Sequence, residues 1–353
     1  MENRKQIKTP VFFERNRVGR VYSGGKLFAD FFGDEAKDGF LPEEWIASRV
    51  RAINKIPNGE KEGVSRVKEE NAEQENGGSN GIGFDELLER YPEEMLGKSG
   101  KMRILVKILD SAVRLPAQAH PDKVFSRKYF HSEYGKTESW VILGTRQGAR
   151  IYFGFQDGVD KDIFSAAIDA SITDKSAMER LMKYIEPKVG DVFLVPAKTV
   201  HAIGAGCLIL EVQEPTDFTI QPEHWCDQYE LNEQEMYIGL SKDEAMECFS
   251  FEKTPEARMI PETVSEKDSV KKERLIGPGN TDCFVINRIT VSGGRYTMNV
   301  SDSYAVYIIT NGSGVLKGEG YERILKRGDY FFLPCSLMGK FSLQGNLETV
   351  ECF

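Results

Sequence analysis

The hydrophobic positions of the chain fall mainly into short runs that predict β-strands. These runs are rich in β-branched and aromatic residues, and segments containing Gly, Pro or small polar residues separate them. The runs are MRILVKIL, SWVILG, ARIYFGF, VFLVP, CLILEVQ, CFVINRITV, AVYIIT and YFFLP. Many short strands indicate a sandwich or barrel rather than a parallel α/β sheet. The pattern therefore predicts a mainly β fold.

Helical periodicity is confined to a few stretches. The first covers residues 84–96, where Pro92 is expected to bend the helix or mark its end. The second covers roughly 161–185. The third begins at Ser241, because Ser241 and Glu244 form a capping-box pattern ahead of an apolar position. We expect these helices to be accessory packing elements.

Two polar stretches interrupt the strand pattern. Residues 58–83 are polar and rich in Gly, and we expect part of this stretch to form a mobile surface loop because it has little apolar surface to bury. Residues 251–280 are rich in Lys, Glu and Pro, and they are expected to connect two β units.

An internal repeat supports two related β units. GDVFLVPAKTVHAI begins at Gly190, and GDYFFLPCSLMG begins at Gly328 with the same spacing of Gly, Asp, Phe and Pro. His201 of the first copy corresponds to Gly339 of the second. The chain has four His residues and none beyond position 224. The repeat thus predicts one module with a conspicuous His and one without.

The charge of the chain excludes some partners. A net charge of -9 and a pI near 5.3 argue against a nucleic-acid or anionic-membrane surface. No apolar stretch approaches the ~18 residues that a membrane span requires, and the charged start MENRKQIKTP has no apolar segment. The six cysteines are scattered without a CxxC pair, so we expect reduced thiols and a cytoplasmic protein.

Candidate metal ligands occur in three separate segments. RLPAQAHPD, residues 114–122, alternates like a strand and places Arg114, Gln118 and His120 on one side. GKTESW adds Glu138 just before an apolar run, and His201 ends the first repeat. Two imidazoles and a carboxylate, with or without an amide oxygen, suit Zn²⁺ and leave a position open for water or substrate.

These segments also carry a family resemblance. Gly190, five residues, Pro196, four residues and His201 form a frame that resembles the second motif of the cupin superfamily, with Lys198 where a Gly is usual. Within the cupins, QAHPD, GKTESW and the segment GDVFLVPAKTVHAIGAGCLILEVQ followed by PTD resemble the type I mannose-6-phosphate isomerases of the short bacterial kind. The N-terminal TPVFFERN and SGGKLFADFFG resemble the opening of that family, so the resemblance spans nearly the whole chain.

The resemblance implies two cupin barrels, which are double-stranded β-helices of the jelly-roll type, with a few accessory helices. A metal-binding catalytic domain with helical insertions would occupy residues 1–250, and a domain without metal ligands would occupy 275–353. The implied activity is a zinc-dependent interconversion of mannose 6-phosphate and fructose 6-phosphate. One zinc per chain would be held by Gln118, His120, Glu138 and His201. The implied protein acts on a small sugar phosphate as a monomer or homodimer.

The same segments suggest residues for catalysis and substrate binding. Lys136 stands at the position of a family lysine near the site and could bind substrate oxygens or assist proton transfer. Glu211 and Gln213 share one side of the following strand and are further candidates for the pocket, Glu211 for catalysis and Gln213 for substrate binding. Arg114 and Trp140 lie on the ligand side of their segments and are also candidates for substrate binding.

One segment departs from the family pattern. Relatives carry an Arg that is assigned a catalytic or substrate-orienting role, whereas TDFTIQPEHW places Gln221 at that position. A neutral amide cannot supply the fixed cationic fork of an Arg. Lys123, Arg127 and Lys128, which follow HPD, could partly compensate in phosphate binding.

Three functions fit these observations. The leading hypothesis is an isomerase of the mannose-6-phosphate type or a close relative with an altered substrate. The alternative is a non-catalytic cupin that keeps the metal and binds a sugar or sugar phosphate. A third possibility is a redox cupin that holds Fe or Mn in the same pocket, which its metal content would reveal.

Overall fold

The computed structural model describes residues 7–54, 59–68, 81–254, 256–300 and 302–353. Half of the stretch 58–83, residues 58 and 69–80, lies outside the described residues. The fold is mainly β, with short helices between the strands, as the hydrophobic runs predict. Two β modules follow each other along the chain. None of the helices in the described ranges is long and apolar enough to cross a membrane.

The strands of the first module correspond to the first five hydrophobic runs and to shorter segments between them. They are β1 (Arg17–Val18), β2 (Glu43–Ile46), β3 (Leu105–Ser111), β4 (Glu138–Thr145), β5 (Ile151–Phe155), β6 (Met182–Ile185), β7 (Val192–Val195), β8 (His201–Ile203), β9 (Cys207–Gln213), β10 (Trp225–Cys226), β11 (Tyr229–Glu230) and β12 (Arg258–Met259). One sheet has the order β1-β2-β3-β9-β4-β7-β12, and a smaller sheet has the order β6-β5-β8.

Both faces of the larger sheet are buried, which explains why its strands read as continuous apolar runs. Trp140 and Ile142 of β4 pack into a core shared with Ile151 of the smaller sheet. Val141 of β4 and Leu210 of β9 point to the opposite face and pack into a second core. Because side chains alternate along a strand, a sheet covered on both faces needs apolar residues at every position.

The second module is a sheet of longer strands. They are β13 (Glu262–Lys267), β14 (Val270–Ile276), β15 (Ile286–Thr297), β16 (Ala305–Gly318), β17 (Tyr321–Lys326), β18 (Tyr330–Leu333) and β19 (Ser342–Cys352). Their order is β13-β14-β15-β19-β16-β17, and β18 also pairs with β16. The predicted connection over 251–280 therefore contains β12 of the first module and β13 and β14 of the second.

The two modules share a hydrophobic core. Val306 and Phe332 of the second module pack in the same cluster as Ile108 and Leu210 of the first. Near the N-terminus, Val11 pairs with Phe332 through two backbone hydrogen bonds of 2.8 and 2.9 Å. The second module thus packs against the first through this shared core.

The helices are short and lie between the strands. They are α1 (Phe28–Phe32), α2 (Phe84–Arg90), α3 (Pro92–Leu96), α4 (Lys123–Phe130), α5 (Lys161–Ala170), α6 (Glu233–Tyr237) and α7 (Lys242–Met246). Pro92 begins a new helix after a break at Tyr91, and Ser241 caps α7 with a complete capping box, as predicted.

The helix predicted over 161–185 is wrong beyond Ala170. The α5 helix ends there, and a turn follows at Ser171. Leu181 then ends a single turn of 3-10 helix over Glu179–Leu181, whereas Met182 and Ile185 belong to β6 and pair with Phe155 and Ile151. Apolar residues three or four apart fit a helix, but two of them at the ends of a four-residue strand have the same spacing.

Candidate metal centre

His120 comes from an extended segment that is not a regular strand. The segment 114–122 makes only isolated bridges, from Gln118 to His201 and from Ala119 to Ile220. The strand expected from its alternation is therefore interrupted, because Pro116 and Pro121 have no N–H group to donate to a ladder. Its extended backbone nevertheless delivers the His120 side chain to the interior, where it is 1% exposed.

Two other ligand candidates begin strands. Glu138 is the first residue of β4, and His201 is the first residue of β8, so the two sheets each contribute one side chain. Both side chains are completely buried. Ligand atoms of His120, Glu138 and His201 all lie within 4.8 Å of one another, and this is the metal-capable group of three found in the described part of the chain.

The geometry of this trio suits a small divalent metal. His120 Nε2 lies 3.1 Å from Glu138 Oε2 and 3.2 Å from His201 Nε2, and His201 Nε2 lies 3.3 Å from Glu138 Oε1. Ligands held about 2.1 Å from a tetrahedral metal lie about 3.4 Å apart. The two Nε2 atoms and the Glu138 carboxylate are thus spaced as such an ion requires.

Backbone carbonyls fix both rings in the form that binds a metal. His120 Nδ1 donates to Phe218 O at 3.0 Å, and His201 Nδ1 donates to Thr199 O at 2.9 Å. Because a carbonyl oxygen can only accept, each Nδ1 carries the proton and each Nε2 presents its lone pair to the centre. The donor set is therefore two neutral imidazoles and one carboxylate.

The charges of the trio agree with this assignment. Burial, followed by the positive charge of Lys136, lowers the pKa of His120 to about 3. Burial opposes ionisation of Glu138, but the positive charge of Lys136 holds the pKa of Glu138 well below its usual range. Near neutral pH His120 and Glu138 are thus deprotonated, as metal binding needs.

Lys136 lies at the same centre. Its Nζ atom is 2.7 Å from Glu138 Oε2 and 2.7 Å from His120 Nε2, and the side chain is buried. The two residues Lys136 and Glu138 are separated by one position in GKTESW, so they reach the same side of the backbone. A lysine here can donate to any oxygen that enters the centre.

Lys198 shapes the turn beside His120. Its φ of 67° is left-handed, which fits a position where a Gly is usual, and its N–H donates to His120 O at 2.7 Å. The turn therefore holds the backbone that carries one of the ligands.

A cavity of about 400 Å³ reaches the trio at Glu138. Gln118, Lys136 and Glu138 line it on the metal side, and Gln221 lies on its wall. The amide of Gln221 donates to Glu235 O at 3.1 Å. A neutral side chain with a backbone partner thus stands where relatives are expected to have an Arg.

Glu211 is a cavity residue that the sequence predicts. It lies opposite Trp140 in the register of β9 and β4, and Trp140 Nε1 donates to Glu211 Oε2 at 3.2 Å. Burial and the negative charge of Glu138 raise the pKa of Glu211. It is therefore a carboxyl group able to exchange protons nearer to neutral pH than an ordinary Glu.

Three predicted substrate-binding residues are not among those that line the cavity. Arg114 is paired with Glu223, with 2.9 Å between Nη1 and Oε2, and Glu223 also accepts the Ala117 N–H. Gln213 donates its amide to the carbonyl oxygens of Glu214 and Thr216, and Trp140 is fully buried behind Glu211. These residues support the walls of the site.

The far end of the cavity contains charged residues that the sequence analysis missed. They are Arg20, Glu43, Lys107 and Asp217, and all but Arg20 are buried. They come from distant segments, so no local motif brings them together. Only Lys107 could have been predicted from the sequence. A Lys inside the apolar run MRILVKIL is expected to be buried and therefore to have charged or polar partners.

The ion pairs at this end are close. Arg20 Nε lies 2.9 Å from Glu43 Oε1, and Arg20 Nη2 lies 2.9 Å from Asp217 Oδ1. Burial opposes ionisation of Glu43, yet Arg20 and Lys107 lower its pKa to about 2. Burial also opposes the charged form of Arg20, but Asp217 and Glu43 raise its pKa. Arg20, Glu43 and Lys107 are therefore charged at neutral pH.

Comparison with known proteins shows that this chain is similar to mannose-6-phosphate isomerases. A family model described as the cupin domain of mannose-6-phosphate isomerase matches residues 278–353. A probable mannose-6-phosphate isomerase of Bacillus subtilis is 27% identical over 340 residues, which cover 96% of this chain and 97% of that protein.

Solved structures are similar over the same length. The crystal structure of the mannose 6-phosphate isomerase from Bacillus subtilis has a TM-score of 0.76 and 25% identity, covering 98% of this chain and 100% of that one. A crystal structure of a mannose 6-phosphate isomerase bound with zinc and yttrium has a TM-score of 0.70 and 14% identity, covering 98% of this chain and 99% of that one. Both similarities extend over the two β modules.

Proposed function

We infer that this chain, which belongs to the type I mannose-6-phosphate isomerases of the cupin superfamily, interconverts mannose 6-phosphate and fructose 6-phosphate with zinc as its metal. The observation that carries this inference is the buried trio of His120, Glu138 and His201, whose Glu138 lines a cavity together with Lys136 and Glu211. Isomerases that are similar over the whole chain support the same reaction.

The reaction requires a proton to move between two neighbouring carbons of the sugar. A base must remove the proton from C2 of the aldose or C1 of the ketose, and donors must stabilise the enediol oxygens. A divalent metal held by the trio would supply positive charge beside those oxygens. The protein must supply the base and the remaining donors.

We assign the proton transfer to Glu211. Its carboxyl group lines the cavity, and its pKa is raised by burial and by Glu138, which brings it closer to working pH. Lys136 is assigned to the substrate oxygens, because its ammonium lies within 2.7 Å of two of the ligand atoms. The buried indole of Trp140 orients the Glu211 carboxylate.

Zinc is the metal that we propose, at one ion per chain. Two imidazole nitrogens and one carboxylate oxygen are ligands that Zn²⁺ accepts while keeping a position for substrate. Gln118, which lines the cavity beside the trio, is proposed as a fourth ligand through its amide oxygen. The mannose 6-phosphate isomerase structure that is bound with zinc and yttrium has the same fold and supports this choice.

The activity can be tested directly. Purified protein loaded with Zn²⁺ is incubated with mannose 6-phosphate, and fructose 6-phosphate is detected through a coupled dehydrogenase assay. We expect turnover that is lost after chelation and restored by Zn²⁺. Ligand-induced stabilisation by the sugar phosphate without any product would instead favour the non-catalytic binding protein.

The proposal also covers the cellular location and the oligomeric state of the protein. All six cysteines are free thiols, which agrees with a reducing cytoplasm. A monomer or homodimer is expected, and light scattering on the purified protein would determine which.

A further inference from the structure

Arg20 provides the guanidinium on the wall of the cavity, among the described residues that line it. It comes from the N-terminal segment RNRVGR, and its side chain is only 13% exposed. Three partners hold it: Nε donates to Glu43 Oε1 at 2.9 Å, Nη1 to Asn54 Oδ1 at 3.0 Å, and Nη2 to Asp217 Oδ1 at 2.9 Å. The guanidinium is therefore held in one fixed orientation.

Lys107 lies beside Arg20 with looser contacts. Its Nζ is 3.8 Å from Glu43 Oε2, 3.4 Å from Glu211 Oε1 and 3.7 Å from Asp217 Oδ1. These separations are at or beyond the upper end of ordinary hydrogen bonds. The lysine N–H groups can thus turn toward a substrate oxygen without breaking a short ion pair.

The position of this cluster relative to the metal trio suits a six-carbon sugar. In the sheet register, Lys107 of β3 faces Glu211 of β9, which faces Trp140 of β4. Trp140 is two residues beyond Glu138. Two strand spacings amount to about 10 Å across the sheet. A sugar with its first two carbons at the trio can extend toward Arg20 and Lys107.

The charges of the cluster indicate which part of a ligand it recognises. Arg20 and Lys107 are in contact with three carboxylates, those of Glu43, Glu211 and Asp217. Two cations against three carboxylates leave no surplus positive charge for a phosphate dianion. Hydroxyl groups both donate and accept, so they fit a wall that alternates ionised donors with ionised acceptors.

The other basic candidates do not supply a phosphate site in this cavity. Lys123 is paired with Asp282, Arg127 with Glu133 and Lys128 with Glu247. None of these three lysine and arginine side chains is among the residues that line the cavity. Lys123, Arg127 and Lys128 therefore do not compensate for the missing Arg by binding a phosphate in this cavity.

We propose that Arg20, with Glu43, Lys107 and Asp217, forms a subsite for the hydroxyl groups of the sugar chain, and that Arg20 supplies the fixed guanidinium that position 221 lacks. The proposal rests on the proposed isomerase function. It has a direct consequence for substrate range. Because the subsite binds hydroxyl groups and not the phosphate, mannose without a phosphate should also bind and be isomerised to fructose.

The first test uses the unaltered zinc-loaded protein. The kcat/KM values for mannose 6-phosphate and for mannose are compared, with fructose measured by chromatography. We expect the two values to agree within about 100-fold, since the phosphate meets no dedicated cation pair. Turnover of mannose 6-phosphate with a larger loss for mannose overturns the subsite proposal alone.

Failure of the proposed function has a different outcome. If neither sugar is converted, the isomerase assignment is wrong, and the subsite is judged by calorimetric titration of the zinc-loaded protein with fructose. Binding that is weakened in the Arg20→Lys variant supports the subsite. Absence of fructose binding to the unaltered protein overturns it.

The second test identifies what Arg20 contacts. Arg20→Gln removes the charge and Arg20→Lys keeps it, so the latter remains informative if the former does not fold. We expect kcat/KM to fall by about tenfold to 100-fold for both sugars by the same factor. A loss confined to mannose 6-phosphate would mean a phosphate contact and would contradict the proposal.

Controls separate substrate positioning from structural damage. Arg180→Gln changes a surface arginine paired with Asp174, away from the cavity, and should leave both kcat/KM values unchanged. Zinc content and melting temperature are measured for every variant. An Arg20 variant that retains zinc and its fold but shows unaltered KM and kcat for both sugars would also overturn the proposal.

Discussion

Trp140 Nε1 donates a hydrogen bond to Glu211 Oε2 across strands β4 and β9, at 3.2 Å. This contact joins a strand that begins with a metal ligand to the carboxyl group assigned to proton transfer. A hydrogen bond to the ionised form of a carboxyl group favours that form. Trp140 therefore limits how far burial and Glu138 raise the pKa of Glu211.

The Trp140→Phe variant tests this relationship. Loss of the indole N–H should raise the pKa of Glu211 further, and a base must be ionised to accept a proton. The acidic limb of the kcat/KM profile is then expected to move to higher pH, while zinc content stays the same. Trp225→Phe, which removes an indole that donates to Ile172 O, is the control. An unchanged acidic limb in Trp140→Phe would remove Glu211 from the proton-transfer step.

The metal ligands give the strongest expected effect. His120→Ala or His201→Ala leaves only one imidazole with Glu138, which is too few ligands for a tight site. Elemental analysis should show bound zinc falling from stoichiometric to trace, with a lower melting temperature. His131→Asn is the control, because His131 is exposed and its φ of 52° is one that Asn tolerates. Stoichiometric zinc in both Ala variants would refute the assigned centre.

Glu43 is expected to show pH-dependent stabilisation. Its pKa falls from the ordinary 4.5 to about 2, despite burial, because of Arg20 and Lys107. The ionised form is thus favoured by folding, so the contribution is full above about pH 4.5 and is lost as the pH falls through about 2. Glu43→Gln should lower the free energy of unfolding at neutral pH by on the order of 3 kcal/mol.

The measurement compares urea unfolding of Glu43→Gln and the unaltered protein between neutral and acid pH. The difference between them should shrink as the pH falls. Glu133→Gln changes an exposed carboxylate and serves as the control. A difference that stays constant with pH would show that the ionised carboxylate is not the source of the stabilisation.

Lys198 offers a backbone test. Its left-handed φ of 67° costs a residue with a side chain about 1–2 kcal/mol. A Gly at this position avoids that cost but loses more conformational entropy on folding, so only part of the cost is recovered. Lys198→Gly should therefore raise the free energy of unfolding by up to about 1 kcal/mol. Lys198→Ala removes the same charge but keeps the strain, so it should not stabilise. Equal thermal stability of the two variants would exclude the backbone explanation.

The sequence predicted the parts of the structure that depend on local pattern. Continuous apolar runs indicated the strands of a sheet covered on both faces, and the spacing from Gly190 to His201 indicated one member of the metal-capable trio. Arg20, Glu43 and Asp217 could not be predicted in this way, because only the tertiary fold brings the three segments together. Arg114 is a residue for which the local pattern was misleading. The alternation of its segment predicted a side chain in the pocket, but Arg114 pairs with Glu223, which is distant in the sequence, and does not line the cavity.

The repeat leads to a final prediction about the second module. Glu138 of β4 pairs with Val195 of β7, and Ala305 of β16 pairs with Leu333 of β18 in the same way. Gly190 and Gly328 precede these strands with φ of 90° and 87°, so the two modules share the local geometry. The second module therefore has Ala305 in place of the carboxylate ligand and Gly339 in place of His201.

Gly339→His should consequently leave the zinc content at one per chain. An imidazole at this position has no carboxylate across the strand pair, and the φ of 77° at Gly339 disfavours any residue with a side chain. We expect a lower melting temperature and no additional metal by elemental analysis. The double variant with Ala305→Glu supplies a carboxylate but still lacks a second imidazole, since no His follows position 224. A second stoichiometric zinc in the single variant would mean that the module retains ligands that its strand register does not reveal.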